Sequence, residues 1–459
     1  MALWHWSELC AALNLPVVDG PDVTGIAIDS RRVVPGDLFV ALPGDPGPRF
    51  NTSSRSDRDG HDYVSDAFAR GAAGVLVHRV NASTEPASAG PELKVVDTLD
   101  ALWALARASR ARLTCPVVAI TGSSGKTTCK TLLAAALEAY ATEGSENNHI
   151  GVPLSLARAP RDSHSVVLEL GMNHPGEIAP LARLARPDVA VVLNVQAAHV
   201  ENFSDPDGIR GEKLSIAAGL LTGGVLVVHD AVDTTGLRTD IEIKRFGREP
   251  QSEGVLLEVE GHSARYRIGK ETIDARVPGG GDHRALTLAA VLTVLDTLGL
   301  DLRRASALPE ELVPAGRGRY HRFGDRTIID DSYNANPSSM AGALVALDRT
   351  PAQRRIAILG EMLELGPQAP DFHRQLAPLC EQLDYVICVG PGTMPLFEVL
   401  SQQGIAARCF ERADDTLLEF ILALSAPGDL LLVKGSNRVF WQHDFVRRLS
   451  ARLGGGDRP

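Results

Sequence analysis

The strongest constraint on the fold of this chain is a glycine-rich stretch at residues 122–128 that directly follows the apolar run 115–120. A continuous apolar run of this kind is typical of a parallel strand that is buried on both faces. Glycines let the backbone curl so that its N–H groups point inward, and the helix that follows adds partial positive charge at its N-terminus. The stretch therefore predicts a phosphate-binding loop between a buried strand and a helix, built from Gly122, Ser123, Ser124, Gly125, Lys126, Thr127 and Thr128.

The residue types in this loop suit a nucleotide phosphate. Lys126 can neutralise β- and γ-phosphate oxygens, and the hydroxyl of Thr127 can ligate Mg²⁺. The alternative is an ordinary Gly/Ser turn, and Gly122 does lie closer to Lys126 than in the commonest loop of this type. A turn alone does not explain Lys-Thr-Thr at the start of a helix, so the sequence favours phosphate binding.

Further apolar runs alternate with helical stretches, which is the signature of an α/β fold. They lie at residues 165–170, 189–194 and 224–228, and a patch of shorter strands over 255–277 looks antiparallel. The same alternation occurs before residue 110 and after residue 314, and a chain of 459 residues corresponds to about three domains. We therefore predict an N-terminal α/β domain at 1–110, a central doubly wound P-loop domain at 111–313 and a Rossmann-like α/β domain at 314–459.

Composition excludes several classes of protein. With 46 basic and 57 acidic residues the formal net charge is −11, which argues against nucleic-acid binding, because that needs a basic surface. No apolar run approaches the ~20 residues that span a bilayer, and the N-terminus does not resemble a secretory signal. The six cysteines form no C-x-x-C pair, as expected for reduced thiols. We expect a cytoplasmic enzyme that is not inserted in a membrane and acts as a monomer.

Three titratable residues beyond the loop are candidates for the chemistry. Glu169 ends an apolar strand, where a carboxylate is costly to bury unless it binds a metal, meets a helix N-terminus or pairs with an arginine; we favour the metal. His199 follows the next strand and suits a metal ligand or a surface histidine equally well. Lys213 lies beside Glu212 at the start of a helix predicted over 213–221, and these neighbours alone favour a solvated lysine.

A dense polar cluster at residues 330–337 comes directly after a predicted strand. Because it lacks apolar periodicity, it favours a binding loop, with an Asx-rich turn as the alternative. The run Gly316-Arg317-Gly318-Arg319 precedes it, at the predicted junction of the second and third domains. Glycine beside arginine suits a hinge that brings Arg317 to a phosphate.

Taken together, these motifs resemble the Mur ligases, the ATP-dependent amide-forming enzymes of peptidoglycan precursor synthesis. The resemblance covers nearly the whole chain, and residues 330–340 are its most distinctive match to the members that add a D-alanyl-D-alanine dipeptide. The matching runs are 28–31, 35–42 and 60–63 in the first domain, 121–128, 147–154 and 169–178 in the second, and 330–340, 359–362 and 434–436 in the third.

The resemblance implies a ligase that joins D-Ala-D-Ala to UDP-MurNAc-tripeptide through an acyl phosphate made from ATP. It implies that Lys126 contacts the ATP phosphates and that Thr127 and Glu169 hold one Mg²⁺, while His199 helps to hold a second. Lys213 aligns with a lysine that is carbamylated in the family and so becomes an anionic metal ligand. The other residues that it implicates are Arg317 and Asp331 for ATP, and Ser30, Arg31, Asn147, Asn148, Asn334 and Asn336 for the substrates.

One departure from the family concerns the adenine. Members usually carry a His-Asn-x-x-Asn helix start that touches the base, whereas neither asparagine is present in the corresponding run Asp282-His283-Arg284-Ala285-Leu286-Thr287. Two alternatives therefore stay open. One is a paralogous Mur-type ligase that joins a different carboxylate and amine, and the other is a non-catalytic P-loop protein.

Overall fold

The computed structural model describes residues 2–44, 58–78, 90–196, 203 and 206–454. These residues form three sheets, of four, nine and six strands, which are flanked by helices. Each sheet together with its helices is called a unit below: the first, the central (second) and the third. The predicted α/β class is confirmed. No helix within these ranges is both long enough and apolar enough to cross a membrane.

The first sheet is small and entirely parallel, with its strands in chain order. The helix α3 that follows it starts where the Asp97 carboxylate accepts from the Asp100 N–H at 2.8 Å, and it packs against helix α5 of the next unit. The elements are α1 (Trp6–Ala12), β1 (Gly25–Ala27), β2 (Asp37–Val40), α2 (Val64–Ala69), β3 (Gly74–Val77), β4 (Glu92–Lys94) and α3 (Thr98–Arg112).

The central sheet has the order β13-β12-β11-β10-β9-β8-β5-β7-β6, and it is parallel except for the antiparallel pairs β11–β12 and β12–β13. β5 lies between β7 and β8, so it is the strand at which the strand order reverses. In open α/β sheets, ligands bind beyond the C-terminal end of such a strand. The elements are β5 (Val117–Thr121), α4 (Lys126–Leu137), β6 (Tyr140–Ala141), α5 (Gly151–Arg158), β7 (Val166–Glu169), α6 (Ile178–Ala185), β8 (Val189–Val192), α7 (Pro206–Leu214), β9 (Val225–His229), β10 (Glu242–Gly247), β11 (Gly254–Glu260), β12 (Ser263–Ile268), β13 (Glu271–Arg276) and α8 (Asp282–Thr297).

Helix α8 is buried over most of its length. Eleven of its residues are buried, because it packs against α4 on one side and against β9–β12 on the other. Its small and apolar side chains allow this close approach on several faces. Its first turn is polar and lines the cleft described below. Because the rest of the helix is packed in the core, that turn is held in a fixed position.

The third sheet has the order β14-β15-β19-β16-β17-β18, with only β14 antiparallel to its neighbour. The pairing of β15 with β19 brings Asp331 opposite Lys434 at the C-terminal ends of these strands. The elements are β14 (Arg319–Phe323), β15 (Arg326–Asp331), α9 (Pro337–Arg349), β16 (Arg354–Gly360), α10 (Ala369–Arg374), β17 (Tyr385–Val389), α11 (Met394–Gln402), β18 (Ala407–Phe410), α12 (Asp415–Leu424), β19 (Asp429–Lys434) and α13 (Phe445–Leu453).

The helix predicted over 213–221 is wrong. Helix α7 ends one residue after Lys213, and a 3-10 turn over 215–219 follows it. The Ser215 hydroxyl donates to the Glu212 carbonyl at 2.6 Å, which competes with helix propagation, and Ile216 and Ala217 are buried against α6. Lys213 therefore lies at the C-terminal end of a helix.

Candidate active site

Polar and charged side chains of the second and third units meet in a cleft of about 1820 Å³. One wall is made by the loops after β5, β7 and β8, and the other by the loops after β15 and β19 and by the start of α9. Ser30 and Arg31 lie outside this cleft, in a short 3-10 turn of the first unit. The predicted site residues that line it are Ser123, Ser124, Gly125, Lys126, Thr127, Thr128, Asn147, Asn148, Glu169, Arg317, Asp331, Asn334 and Asn336.

The loop at residues 122–128 joins strand to helix as predicted. Helix α4 begins at Lys126, and Gly125 before it has φ = 79°, a left-handed conformation that favours glycine. Asn194, which follows β8, holds the loop in place. Its side-chain oxygen accepts from the Ser124 N–H at 3.0 Å, and its carbonyl accepts from the Ser123 N–H at 3.2 Å. The result is a fixed curl at a helix N-terminus, which suits an anion.

The Lys126 ammonium folds back over this loop and donates to the Gly122 carbonyl at 2.7 Å. Burial lowers its pKa, the charge of Glu169 raises it and that of Arg317 lowers it further. A phosphate oxygen would replace the neutral carbonyl by a charged acceptor, which makes a stronger hydrogen bond. The side chain is thus placed to contact a phosphate held in the loop.

Glu169 is the centre of a buried polar network and is 1% exposed. Its two oxygens accept from the Thr127 hydroxyl at 3.0 Å and from the Asn147 amide at 2.8 Å, and the Lys130 ammonium lies 3.3 Å away. Burial on its own would raise the pKa of Glu169, but the charges of Lys130, Lys126 and Arg317 outweigh it and the pKa is lowered. The carboxylate is therefore ionised at neutral pH.

The structure brings two of the four predicted metal ligands together. Thr127 and Glu169 present a hydroxyl and a carboxylate oxygen side by side, and such oxygens are the ligands that Mg²⁺ prefers. His199 lies outside the described residues. Within the described ranges no cluster of three His, Cys, Asp or Glu residues forms a complete metal cage.

Lys213 is not the solvated lysine that its sequence neighbours suggest, because its side chain is buried. It is 2% exposed, and its Nζ lies 3.9 Å from the sulfur of Met172, which lines the cleft. Burial lowers its pKa well below the ordinary value, and the nearby charge of Lys126 adds to this effect. Glu212 does not pair with it, because its carboxylate accepts from the backbone N–H groups of Gly176 and Ile178, both at 2.7 Å.

The opposite wall presents its own charged groups. Lys434 pairs with the Asp331 carboxylate at 2.7 Å and donates to the Asn334 carbonyl at 3.0 Å. Arg317 stacks on the ring of Tyr333 at 4.1 Å, and it donates to the Ser145 hydroxyl of the central unit at 3.2 Å. Arg317, in the linker between the central and third units, thus reaches from one unit to the other, and its contact with a phosphate stays a prediction.

Two of the predicted substrate-binding asparagines also have local structural roles. The Asn148 side chain accepts from the Ile150 and Gly151 N–H groups at the start of α5. The Asn336 side chain accepts from the Ser339 N–H at 2.8 Å and caps α9. Both side chains line the cleft, and their contact with a substrate stays a prediction.

Sequence reasoning missed Lys130, Asn194 and Arg284. Lys130 lies four residues after Lys126 on the same helix, so it is on the same face and could have been found from that spacing. Asn194 ends a predicted strand, but nothing local shows that it reaches back to the loop. The sequence marks Arg284 only as a departure from the family, at a position where members carry asparagine.

Comparison with protein families finds a match for the second unit and another for the third. Residues 120–295 match the Mur ligase middle domain, and residues 316–437 match the Mur ligase glutamate ligase domain. Among curated relatives, the UDP-N-acetylmuramoyl-tripeptide–D-alanyl-D-alanine ligase of Rickettsia prowazekii is 30% identical over 95% of this chain and 98% of its own length. The ligase of that name from Escherichia coli is 33% identical over 84% of this chain and 85% of its own length.

Solved structures agree with these matches. MurF from Acinetobacter baumannii superimposes with a TM-score of 0.81 at 28% identity, covering 97% of this chain and 98% of that one. The MurF ligase from Thermotoga maritima in complex with ADP gives a TM-score of 0.77 at 27% identity, covering 95% of this chain and 99% of that one. The similarity therefore extends over all three units.

We predict that Lys130→Met raises the pKa of Glu169, because the variant loses one of the cations whose charge offsets the effect of burial. In the wild type the pKa lies below the ordinary 4.5, so ionised Glu169 stabilises the fold above pH 4.5 and this contribution is lost as the pH falls through the folded-state pKa. In the variant the folded-state pKa lies higher, so the stabilisation by ionised Glu169 should be smaller and its loss should end at a higher pH. Thermal unfolding midpoints measured from about pH 3 to about pH 7 test this.

Lys244→Met is the matched control, since the Lys244 ammonium also lies 3.3 Å from a carboxylate oxygen, that of the partly exposed Asp296. This change should alter the free energy of unfolding by at most about 1 kcal/mol and leave the shape of the pH profile unchanged. Equal pH profiles for Lys130→Met and the wild type would contradict the role given to Lys130.

Proposed function

This chain belongs to the Mur ligase family, and on that premise we propose that it adds D-alanyl-D-alanine to UDP-MurNAc-tripeptide at the expense of ATP. The observation that carries the proposal is the position of the loop at residues 330–337, which lies across one cleft from Lys126 and Glu169. That loop is the part of the sequence that most resembles the dipeptide-adding members. The similarity to enzymes named for this reaction over nearly their whole length supports the same conclusion.

We assign one substrate to each unit. Residues 1–110 would bind the UDP-sugar through Ser30 and Arg31, and the Arg31 side chain is held by the Asp29 carboxylate at 2.7 Å. Residues 111–313 would bind ATP, and residues 314–459 would bind the dipeptide through Asn334 and Asn336. Arg317 and Asp331 would contact ATP from the third unit, and Asn147 and Asn148 would face the tripeptide. The enzyme would act in the cytoplasm as a monomer.

The first chemical step would activate the substrate carboxylate. One carboxylate oxygen attacks the γ-phosphorus, the bond from that phosphorus to the β,γ-bridging oxygen breaks, and ADP leaves with the electron pair. The loop at residues 122–128 and the Lys126 ammonium would hold the phosphates. Arg317 would approach them from the linker, so that positive charge comes from both walls.

The second step would form the amide. The dipeptide amine attacks the acyl carbon, the bond between that carbon and the phosphate oxygen breaks, phosphate leaves and the nitrogen loses its proton. Water would compete with the amine for the acyl phosphate. Arg317 already contacts Ser145 across the cleft, and closure of the two walls through such contacts would limit the access of water.

The side chains around Glu169 fit Mg²⁺. The Thr127 hydroxyl and the Glu169 carboxylate would hold one ion, and His199 with carbamylated Lys213 would help to hold the second. Bound Mg²⁺ supplies positive charge that screens the phosphates as the carboxylate approaches. Carbamylation needs a neutral amine, and burial favours the neutral form of Lys213 because it lowers the pKa of that side chain.

The purified chain should turn over ATP continuously only when UDP-MurNAc-tripeptide and D-Ala-D-Ala are both present. Lys126→Ala should lower kcat/KM for ATP by about 10²–10³-fold, because a charge that meets the phosphates is lost. Lys94→Ala, which removes a surface lysine, should have no effect. ADP release with a different amine but not with D-Ala-D-Ala would identify a paralogous ligase, and full activity of Lys126→Ala would contradict its role.

Carbamylation of Lys213 can be observed directly. In ¹³C-bicarbonate at neutral pH, the wild type should show a carbamate carbon signal that Lys213→Ala lacks. Lys434→Ala is the matched control and should keep the signal, because Lys434 is also 2% exposed but its ammonium pairs with the Asp331 carboxylate. The absence of a carbamate signal in the wild type, or its persistence in Lys213→Ala, would contradict the assignment.

A further inference from the structure

Arg284 is a buried cation without a carboxylate partner. It lies in the first turn of α8 and is 7% exposed, and no described carboxylate lies within ion-pair distance of it. Burial lowers its pKa, although the more distant charge of Asp331 acts in the opposite direction. A guanidinium taken out of water must be compensated by other groups.

The compensation comes from four backbone carbonyls in two separate segments. One terminal nitrogen donates to Gly279 and, at 3.2 Å, to Gly280, which belong to the turn before α8. The other donates to Arg317 at 2.9 Å and to Gly318 at 3.1 Å, which belong to the linker into the third unit. A single side chain therefore joins the central unit to the linker.

Glycines on both sides leave room for this side chain. Gly279 has φ = 77° and Gly318 has φ = 78°, so both are in the left-handed region. A Cβ at Gly279 would lie 2.7 Å from the guanidinium carbon, and a Cβ at Gly318 would lie 2.0 Å from one of its nitrogens. The two turns thus form a slot into which the planar guanidinium fits.

The slot fixes the segment from which Arg317 enters the cleft. The Arg317 carbonyl accepts from Arg284, while its side chain reaches the Ser145 hydroxyl across the cleft. A shift of the linker backbone would move both the guanidinium of Arg317 and the strand β14 that follows it.

We propose that Arg284 is a positioning residue that fixes the third unit against the central unit, so that the amine and not water reaches the acyl phosphate. The side chain that replaces the adenine-contacting asparagine of the family thus serves the linker. This inference rests on the proposed function for its catalytic consequence only, because the position of the third unit can be measured without substrates.

The test uses Arg284→Gln and Arg284→Lys in the full chain. Small-angle scattering should show a wider distribution of distances for Arg284→Gln than for the wild type. With both substrates present, ADP released per amide formed should rise above one, and kcat should fall at least about tenfold while KM for ATP changes less. Arg284→Lys keeps the charge with a single nitrogen, so it should restore part of the coupling.

Arg110→Gln is the matched control. Arg110 also donates to backbone carbonyls, those of Ala185 and Arg186 at 2.7 Å, but away from the cleft. It should lower the unfolding midpoint and leave the ratio of ADP to amide at one. The same result for Arg284→Gln, with scattering equal to that of the wild type, would overturn the proposal.

A second variant keeps the proposal testable if Arg284→Gln does not fold. Gly318→Ala keeps the arginine in the chain but puts a methyl group into the slot from the linker side, which displaces the Arg284 guanidinium, so it should also uncouple ADP release from amide formation. A one-to-one ratio in a folded Gly318→Ala would contradict the proposal. If the wild type itself formed no amide, the proposed function would fail, whereas scattering would still decide the role of Arg284.

Discussion

The candidate site depends on a cluster of buried and half-buried cations around one buried carboxylate. The chain has a net charge of −11, yet the proposed reaction brings a carboxylate to a triphosphate. Lys126, Lys130 and Arg317 surround Glu169 and keep it ionised in spite of its burial. Because buried charges are weakly screened, these few cations act strongly where the anions must meet, while the acidic surface contributes little at that distance. The P-loop, the strand order around β5 and the linker all serve to place them.

The parts of this arrangement that depend on local pattern could be predicted from the sequence. The strand before residue 122, the loop and the start of α4 follow from an apolar run, glycines and Lys-Thr-Thr. The position of Glu169 at a buried strand end was also correct. The role of Asn336 as a helix cap could have been predicted too, because Asn-Pro at this position is a typical helix start.

The parts that were missed depend on residues far apart in the chain. The helix at Lys213 was placed too late, because its end is set by the burial of Ile216 and Ala217 against α6 and by the Ser215 hydroxyl. Local sequence also cannot reveal that Lys213 lies behind Met172. The sequence marks Arg284 only as a missing asparagine, and its partners are carbonyls of two turns in separate segments of the chain. Backbone acceptors carry no sequence signature, which is why such contacts appear only in the structure.

The central claim is that a substrate carboxylate attacks the γ-phosphate of ATP in the cleft before the amide forms. It is tested most directly by labelling the reacting carboxylate of the tripeptide substrate with ¹⁸O and analysing the phosphate that is released with the amide. If an acyl phosphate forms, each phosphate carries one labelled oxygen and the other label stays in the amide carbonyl. If the released phosphate contains no label, the carboxylate never attacked the γ-phosphorus, and the function assigned to Lys126, Glu169 and Arg317 is wrong.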